Sequence, residues 1–180
     1  MTQISSSAEV EPRAVASRRT GVLWALMVSG LALHNAEEWL FGLTGWMADH
    51  PWLPGRSLHG DQAQFAMALT MVTAAVLIIA LIAVATRARW SEGVLVSVAY
   101  ALMINAGSHV VLSVVSWSLM PGTLSGALVL LPLGLFITRS LPVMPWTTTS
   151  LVLTVVATVV LVMGSLAAAA GIAALLGAVR

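Results

Sequence analysis

The sequence predicts an all-α protein: a polytopic transmembrane helical bundle of five membrane-spanning helices, with the N-terminus inside and the C-terminus outside. Three observations carry this. Of 180 residues, 59% are hydrophobic and only 8% are charged, against about 25% charged in an average soluble domain. That is too little charge to coat a soluble core of this size, and mean hydropathy is +0.96. The apolar residues also fall into long runs, each sufficient for a membrane crossing and separated by short Pro-, Gly-, Trp- and Arg-containing segments. There is no cysteine, which excludes disulfides, thiolate metal sites and cysteine nucleophiles. A net charge of +1 gives no reason to expect a nucleic acid or an acidic partner.

Residues 1–20 are polar and rich in Ser, Glu and Arg, so a disordered cytoplasmic tail is expected there, followed by one transmembrane domain over residues 21–179. Arg18-Arg19 precedes an apolar run too long for the core of a secretory signal. The first helix is expected over about 21–43 and the second over about 61–86, with Asp61 complementing its N-terminal dipole. Between them, Trp46, His50, Pro51, Trp52, Pro54 and Arg56 suit a loop at headgroup level. The third helix is expected over about 92–119, ending before Pro121-Gly122, and the fourth over about 123–140, ending before Pro142 and Pro145. The last, about 147–177, exceeds the length of a crossing. Its Gly164, Ala167, Ala168, Gly171, Ala173 and Gly177 offer a surface for close helix approach, within the bundle or in a homo-oligomer. Five crossings with the N-terminus inside put Arg13, Arg18, Arg19, Arg87, Arg89 and Arg139 on the cytoplasmic side and leave Arg56 and Arg180 outside.

Inside the first apolar run lies His34-Asn35-Ala36-Glu37-Glu38. An ionised carboxylate at mid-membrane costs about 2.5–3.5 kcal/mol on insertion scales, whereas each Leu, Ile, Phe or Val returns about 0.3–0.6 kcal/mol. A helix needed only for anchoring would not carry two. At about 100° per residue, Glu38 falls about 40° and Glu37 about 60° to either side of His34, so the three share a face. The expected topology puts His34 roughly 13 Å and His109, on the third helix, roughly 15 Å below the outer surface at 1.5 Å per residue. Two histidines at one depth suggest a shared site. Asn105 is one turn below His109 and is expected to orient it from outside the ligand set. Asp61, Gln62 and Gln64 are expected at the rim of a polar pocket open to the outer side.

The sequence places no Arg or Lys within these runs to neutralise the carboxylates. Their counter-charge is then a proton, a histidine cation or a metal ion. Imidazole and carboxylate together suit a single divalent transition metal such as zinc, iron or manganese, with His34, Glu37, Glu38 and His109 as candidate ligands or catalytic groups. A di-iron centre normally draws Glu-x-x-His from each of two helices, and here the order is reversed and occurs once. His59 beside Asp61, His50 in the loop, and Ser113 and Ser116 following His109 are weaker candidates. No Ser-His-Asp array or phosphate-binding glycine loop is visible.

The residues His34 to Glu38, the second histidine His109 and the turn Pro121-Gly122 resemble the bacterial membrane proteins named for their HxxEE motif, a similarity running from the first helix to the fourth. The resemblance implies His34, Glu37, Glu38, His109, Pro121 and Gly122 as motif positions and a bacterial cytoplasmic (inner) membrane as the location. That family normally has Tyr-x-Pro-Gly, and Leu119 stands here in place of the tyrosine. Two functions follow as expectations. One is an intramembrane enzyme using a metal ion or acid/base chemistry on a hydrophobic small molecule or lipid. The other is a proton- or cation-coupled carrier or binding protein, or an accessory subunit.

Overall fold

A computed structural model describes residues 10–53, 61–141 and 147–178. Among them no residue is in a strand. The helices are α1 (Val10–Leu40), α2 (Leu43–Asp49), α3 (Gln62–Ala85), α4 (Ser91–Ser116), α5 (Thr123–Ser125), α6 (Leu131–Ser140) and α7 (Thr148–Ala178), with a π-helical turn at Gly126–Leu130 joining α5 to α6. Four helical stretches are long and apolar enough to cross a membrane: Gln62–Ala85, Ser91–Ser116, Thr123–Ser140 and Thr154–Leu176. The chain therefore has the make-up of an integral membrane protein. α1 is not among the four, because His34, Asn35, Glu37 and Glu38 interrupt its apolar run.

The helix boundaries differ from the expectation in several places. Helix already begins at Val10, within the segment expected to be a disordered tail, and α1 ends at Leu40 instead of about Leu43. Gly42 then takes a left-handed conformation (φ 70°), turning the chain into the short helix α2 where a loop was expected. α3 begins with an N-cap: Asp61 Oδ1 accepts from the Gln64 backbone N–H at 2.8 Å. The π turn has a local cause. Pro132 lacks an amide hydrogen, and its ring crowds the preceding turn, so the backbone widens just ahead of it.

α1 packs against α3, α4 and α6, and α7 packs mainly on α3. One core joins Leu23, Trp24, Met27 and Leu31 of α1 to Val76, Ala80 and Ala83 of α3, Leu95 and Ala99 of α4, and Ile137 of α6. Within it the buried Trp24 Nε1–H donates to Ser91 Oγ at 2.9 Å. A second cluster of Leu43, Met47, Phe65 and Met120 closes the opposite end. Asn35 points from α1 towards α3, its Nδ2 donating to Thr73 Oγ1 at 2.8 Å and Leu69 O at 3.3 Å. No buried side-chain polar atom among the described residues lacks a hydrogen-bond partner. The outward-facing residues are large and apolar, among them Ile78, Leu81, Ile104, Val111 and Val160, as suits contact with lipid.

Small residues bring helices together at Gly30 of α1, Gly126 and Gly134 of the α5–α6 stretch and Ala106 of α4, while in α7 it is Ser165 and Ala169, not Gly164 or Gly171, that are buried. A Cβ on Gly134 would collide with Met103 and lie 3.3 Å from Ala99 O, and one on Gly30 would lie 3.0 Å from Leu133 Cδ2. At Gly164 and Gly171 a Cβ would meet nothing within 4 Å; the buried residues of α7 are Ser165 and Ala169. The small-residue stripe of the last helix is thus an open edge at these glycines, because α7 turns a neighbouring face to α3. Gly134→Val is expected to lower stability by about 1–3 kcal/mol through overpacking, while Gly164→Ala leaves it unchanged. Thermal unfolding of the two variants in detergent measures the difference.

Candidate metal centre

The buried point between α1 and α4 is formed by His34, Glu38 and His109, whose side chains offer three ligand atoms within 4.8 Å of one another. They are 1%, 6% and 3% exposed. Glu38 Oε1 lies 3.2 Å from His34 Nε2 and 3.1 Å from His109 Nε2, and the two rings meet edge to face with centroids 5.0 Å apart. His34 and Glu38 reach the same point because residues four apart in a helix lie one above the other.

The outer nitrogens of both rings are engaged elsewhere. His109 Nδ1 lies 2.8 Å from the Pro121 carbonyl oxygen. A carbonyl only accepts, so this nitrogen carries a proton and the other, Nε2, is turned to Glu38. His34 Nδ1 lies 3.1 Å from Ser125 Oγ, whose own hydrogen is directed at Gly122 O (3.5 Å); His34 Nδ1–H is then the donor and its Nε2 also faces inward. Asn105 Nδ2 donates to that Nε2 at 2.9 Å. Imidazoles anchored through one ring nitrogen, with the other aimed beside a carboxylate oxygen, are arranged as metal-ligating histidines are. The set can hold one ion. Ligand atoms bonded at about 2.1 Å sit about 3.0–3.4 Å apart around a tetrahedral or octahedral ion, and the Glu38 separations are close to that.

The adjacent carboxylate does something different. Glu37 Oε1 accepts from the backbone N–H of Gly122 (3.0 Å) and Leu124 (3.1 Å), and Oε2 accepts from Ser125 N–H (2.6 Å). These are amides at the start of the helix opening at Thr123, which has Gly122 as its N-cap and no side-chain cap of its own. Glu37 supplies the missing cap from another helix, and its negative charge complements that helix's dipole. Expected as a ligand or base, it is instead occupied by three amides. Gly122 is held by two further demands. Its φ of 93° favours glycine, and a Cβ there would lie 2.7 Å from His109 Nδ1 and 2.9 Å from His34 Cε1.

Other expected positions are distributed differently. Asn105 bonds to His34, not to His109, whose partner is the Pro121 carbonyl. Gln62 braces the turn after α1, donating to Trp39 O and accepting from Thr44 Oγ1 at 2.6 Å, and Asp61 caps α3; neither bond reaches the three ligand atoms. Ser113 ties the end of α4 to the turn, pairing with Thr123 Oγ1 (2.7 Å) and accepting from Met120 N–H (2.9 Å), and Ser116 bonds back to Leu112 O. His50 donates to Trp46 O at 2.7 Å and stacks on the Trp46 ring. His59 lies outside the described residues. Leu119 is 60% exposed. The expected open polar pocket is closed over by the turn. A cavity of about 490 Å³ lies on the other side of α1, lined by Ala32, Asn35, Ala36, Trp39 and Thr73, without His34, Glu38 or His109. Ser125 and the Pro121 carbonyl were not legible as partners. A glycine-started helix with no cap residue was the available signal that something else must cap it.

A family model described as "protein of unknown function with HXXEE motif" matches residues 24–137, a span that includes every group named at this centre. No curated protein and no solved structure matches the chain.

Gly122→Ala is expected to cost at least about 2 kcal/mol, since it combines left-handed strain with overpacking against two rings. Glu37→Leu, which strips the cap and leaves three amides unpaired, is expected to cost about 1–3 kcal/mol. Thermal unfolding in detergent, compared with the wild type, measures both.

Proposed function

The chain belongs to the HXXEE-motif family, and from the site itself we propose that it is an intramembrane metalloprotein of five crossings, acting on a lipid-soluble substrate through one divalent ion held by His34, His109 and Glu38. The observation carrying this reading is the convergence of two imidazole nitrogens and a carboxylate oxygen, with both outer ring nitrogens hydrogen-bonded away from the centre. Two histidines and one carboxylate suit iron, manganese or zinc and leave coordination positions open for substrate or water. Such an ion polarises a substrate oxygen or lowers the pKa of a bound water. Asn105, half-buried and bonded to His34, borders the exposed Ile104 and Ser108, which makes the lipid-facing side of α4 the route in. Glu37 is engaged by helix amides and is not the base in this scheme.

In the proposed topology α1 also crosses, its polar cluster screened from lipid by α3, α4 and α6. The N-terminus is cytoplasmic and the C-terminus outside, in a bacterial inner membrane. The edge of α7 at Gly164 and Gly171 suits a second copy. The absence of cysteine makes the topology simple to test: Ser6→Cys and Arg180→Cys are expected to react with a membrane-impermeant maleimide from opposite faces of the membrane.

A second reading, proton exchange without metal, rests on the same distances, because 3.1 and 3.2 Å are also hydrogen-bond separations. Metal content separates the two. Purified wild type is expected to retain about one equivalent of transition metal, lost in His34→Ala, His109→Ala and Glu38→Gln and kept in Glu37→Gln. Replacing Asn105 with Leu, which removes the group touching His34, is expected to weaken metal affinity about tenfold. A folded, metal-free wild type with metal-free variants that behave identically would leave only the proton reading. Chemical change in an added lipid extract identifies an enzyme; binding or flux without change identifies a carrier.

A further inference from the structure

At the end of the bundle away from the Pro121-Gly122 turn, a groove of about 410 Å³ runs between α1 and α6, lined by Arg18, Arg19, Val22, Leu23, Leu26 and Phe136. The sequence builds it from two registers. Arg18, Val22 and Leu26 follow one another at intervals of four along α1, and Phe136 precedes Arg139 by three along α6, so on each helix a cation stands one turn beyond the apolar lining. Arg19 joins the two helices at the mouth, its Nη2 donating to Ser140 O at 2.6 Å, next to Arg139.

Among the described residues these arginines have no carboxylate partner. The carboxylate–cation contacts among the described residues are those of Glu38 with His34 and His109, which are charged pairs only when the imidazoles are protonated. Glu92, the acidic residue in the first turn of α4, accepts from Thr20 Oγ1 at 3.3 Å and pairs with no arginine. Below the cations, Val22, Leu26 and Phe136 are 53%, 43% and 54% exposed. The site thus has an apolar trough under a rim of arginines, and arginine's planar donors match a phosphate. One arginine cluster at a helix end orients a protein in a membrane, but it needs no groove.

We propose that this groove is a binding site for one anionic phospholipid, its phosphate held by Arg18, Arg19 and Arg139 and an acyl chain lying on Val22, Leu26 and Phe136. Charge complementarity selects the headgroup and the apolar trough selects a lipid over a soluble anion. The position also assigns the lipid a role. It joins the start of the membrane-embedded part of α1 to the end of α6, the two helices that carry Glu37 and continue from the helix start it caps.

The test is native mass spectrometry of the purified full-length protein, equilibrated in detergent with equal amounts of palmitoyl-oleoyl phosphatidylglycerol and phosphatidylcholine. Preferential retention of one phosphatidylglycerol per chain is expected. Its preference should fall about fivefold for each arginine removed in Arg18→Gln and Arg139→Gln, and fall also in Leu26→Trp, which fills the trough at an exposed position. Unchanged size-exclusion profiles establish that the variants are folded. Equal retention of the two lipids by the wild type overturns the proposal without reference to any variant. A preference that survives Leu26→Trp overturns it as headgroup attraction alone, and one that survives both arginine changes places the attraction elsewhere. Displacement of the lipid by a hexaglutamate peptide overturns it in favour of an acidic protein partner.

Discussion

Two imidazole nitrogens and a carboxylate oxygen directed at one buried point constitute the constraint on which the rest of the site depends. With little solvent present, three such atoms need a proton or an ion between them, and burial strengthens whichever attraction that supplies. The fold holds them there through groups that are otherwise unremarkable. The Pro121 carbonyl fixes the protonated nitrogen of His109, Ser125 does the same for His34, and the absent side chain of Gly122 leaves room for both rings. The turn thus contributes a carbonyl, an amide and an empty volume. Glu37 then holds the turn in place through the helix start behind it. The motif is a single mechanical unit spread over three helices.

That unit also explains how one helix tolerates two neighbouring carboxylates. Each is neutralised differently. Glu37 faces a helix N-terminus, where three amide hydrogens and the end of a dipole supply positive potential without any cationic side chain. Glu38 faces two histidines and needs a cation between them. Since α1 is bordered by α3, α4 and α6, the polar cluster is covered by protein instead of hydrocarbon, and the other four long helices, α4 with Asn105 and His109 included, stay apolar enough on average to cross. The cost of the site is concentrated in one helix that the others enclose.

The all-helical character and the long apolar helices were legible in composition and run length, because the hydrophobic requirement of a membrane acts on every residue of a span. The meeting of His34 with His109 was legible as a matter of depth, which a rise of 1.5 Å per residue converts from sequence position. The division of labour between Glu37 and Glu38 was not. Two positions 100° apart on a helix both border the same face, and only the neighbouring helix decides which one meets histidine and which meets an amide. For the same reason Asn105 was assigned to the histidine on its own helix when it bonds to the one across from it. Boundaries were missed where local chemistry overrides pattern, as at Gly42, whose left-handed turn starts a helix inside an apparent loop, and at Pro132, which widens an apparently uniform helix into a π turn.

Asn105 bears most directly on what cation completes the centre. In a one-proton state, His109 carries the proton to Glu38, and His34 Nε2 is satisfied by the Asn105 amide hydrogen at 2.9 Å. That arrangement leaves Glu38 Oε1, 3.2 Å from His34 Nε2, bonded to His109 alone. Placing the proton on His34 instead sets its N–H against the amide hydrogens of Asn105 and leaves His109 unsatisfied. One proton on His109 and the Asn105 amide on His34 leave both rings partnered, whereas a divalent ion bound to all three atoms would require the Asn105 amide to turn aside or present its oxygen. An amide that can either donate or accept by a half-turn is suited to a site that exchanges one cation for another. Asn105, the least buried group touching the centre, is therefore the residue whose rotation would accompany the exchange of a proton for a metal ion there.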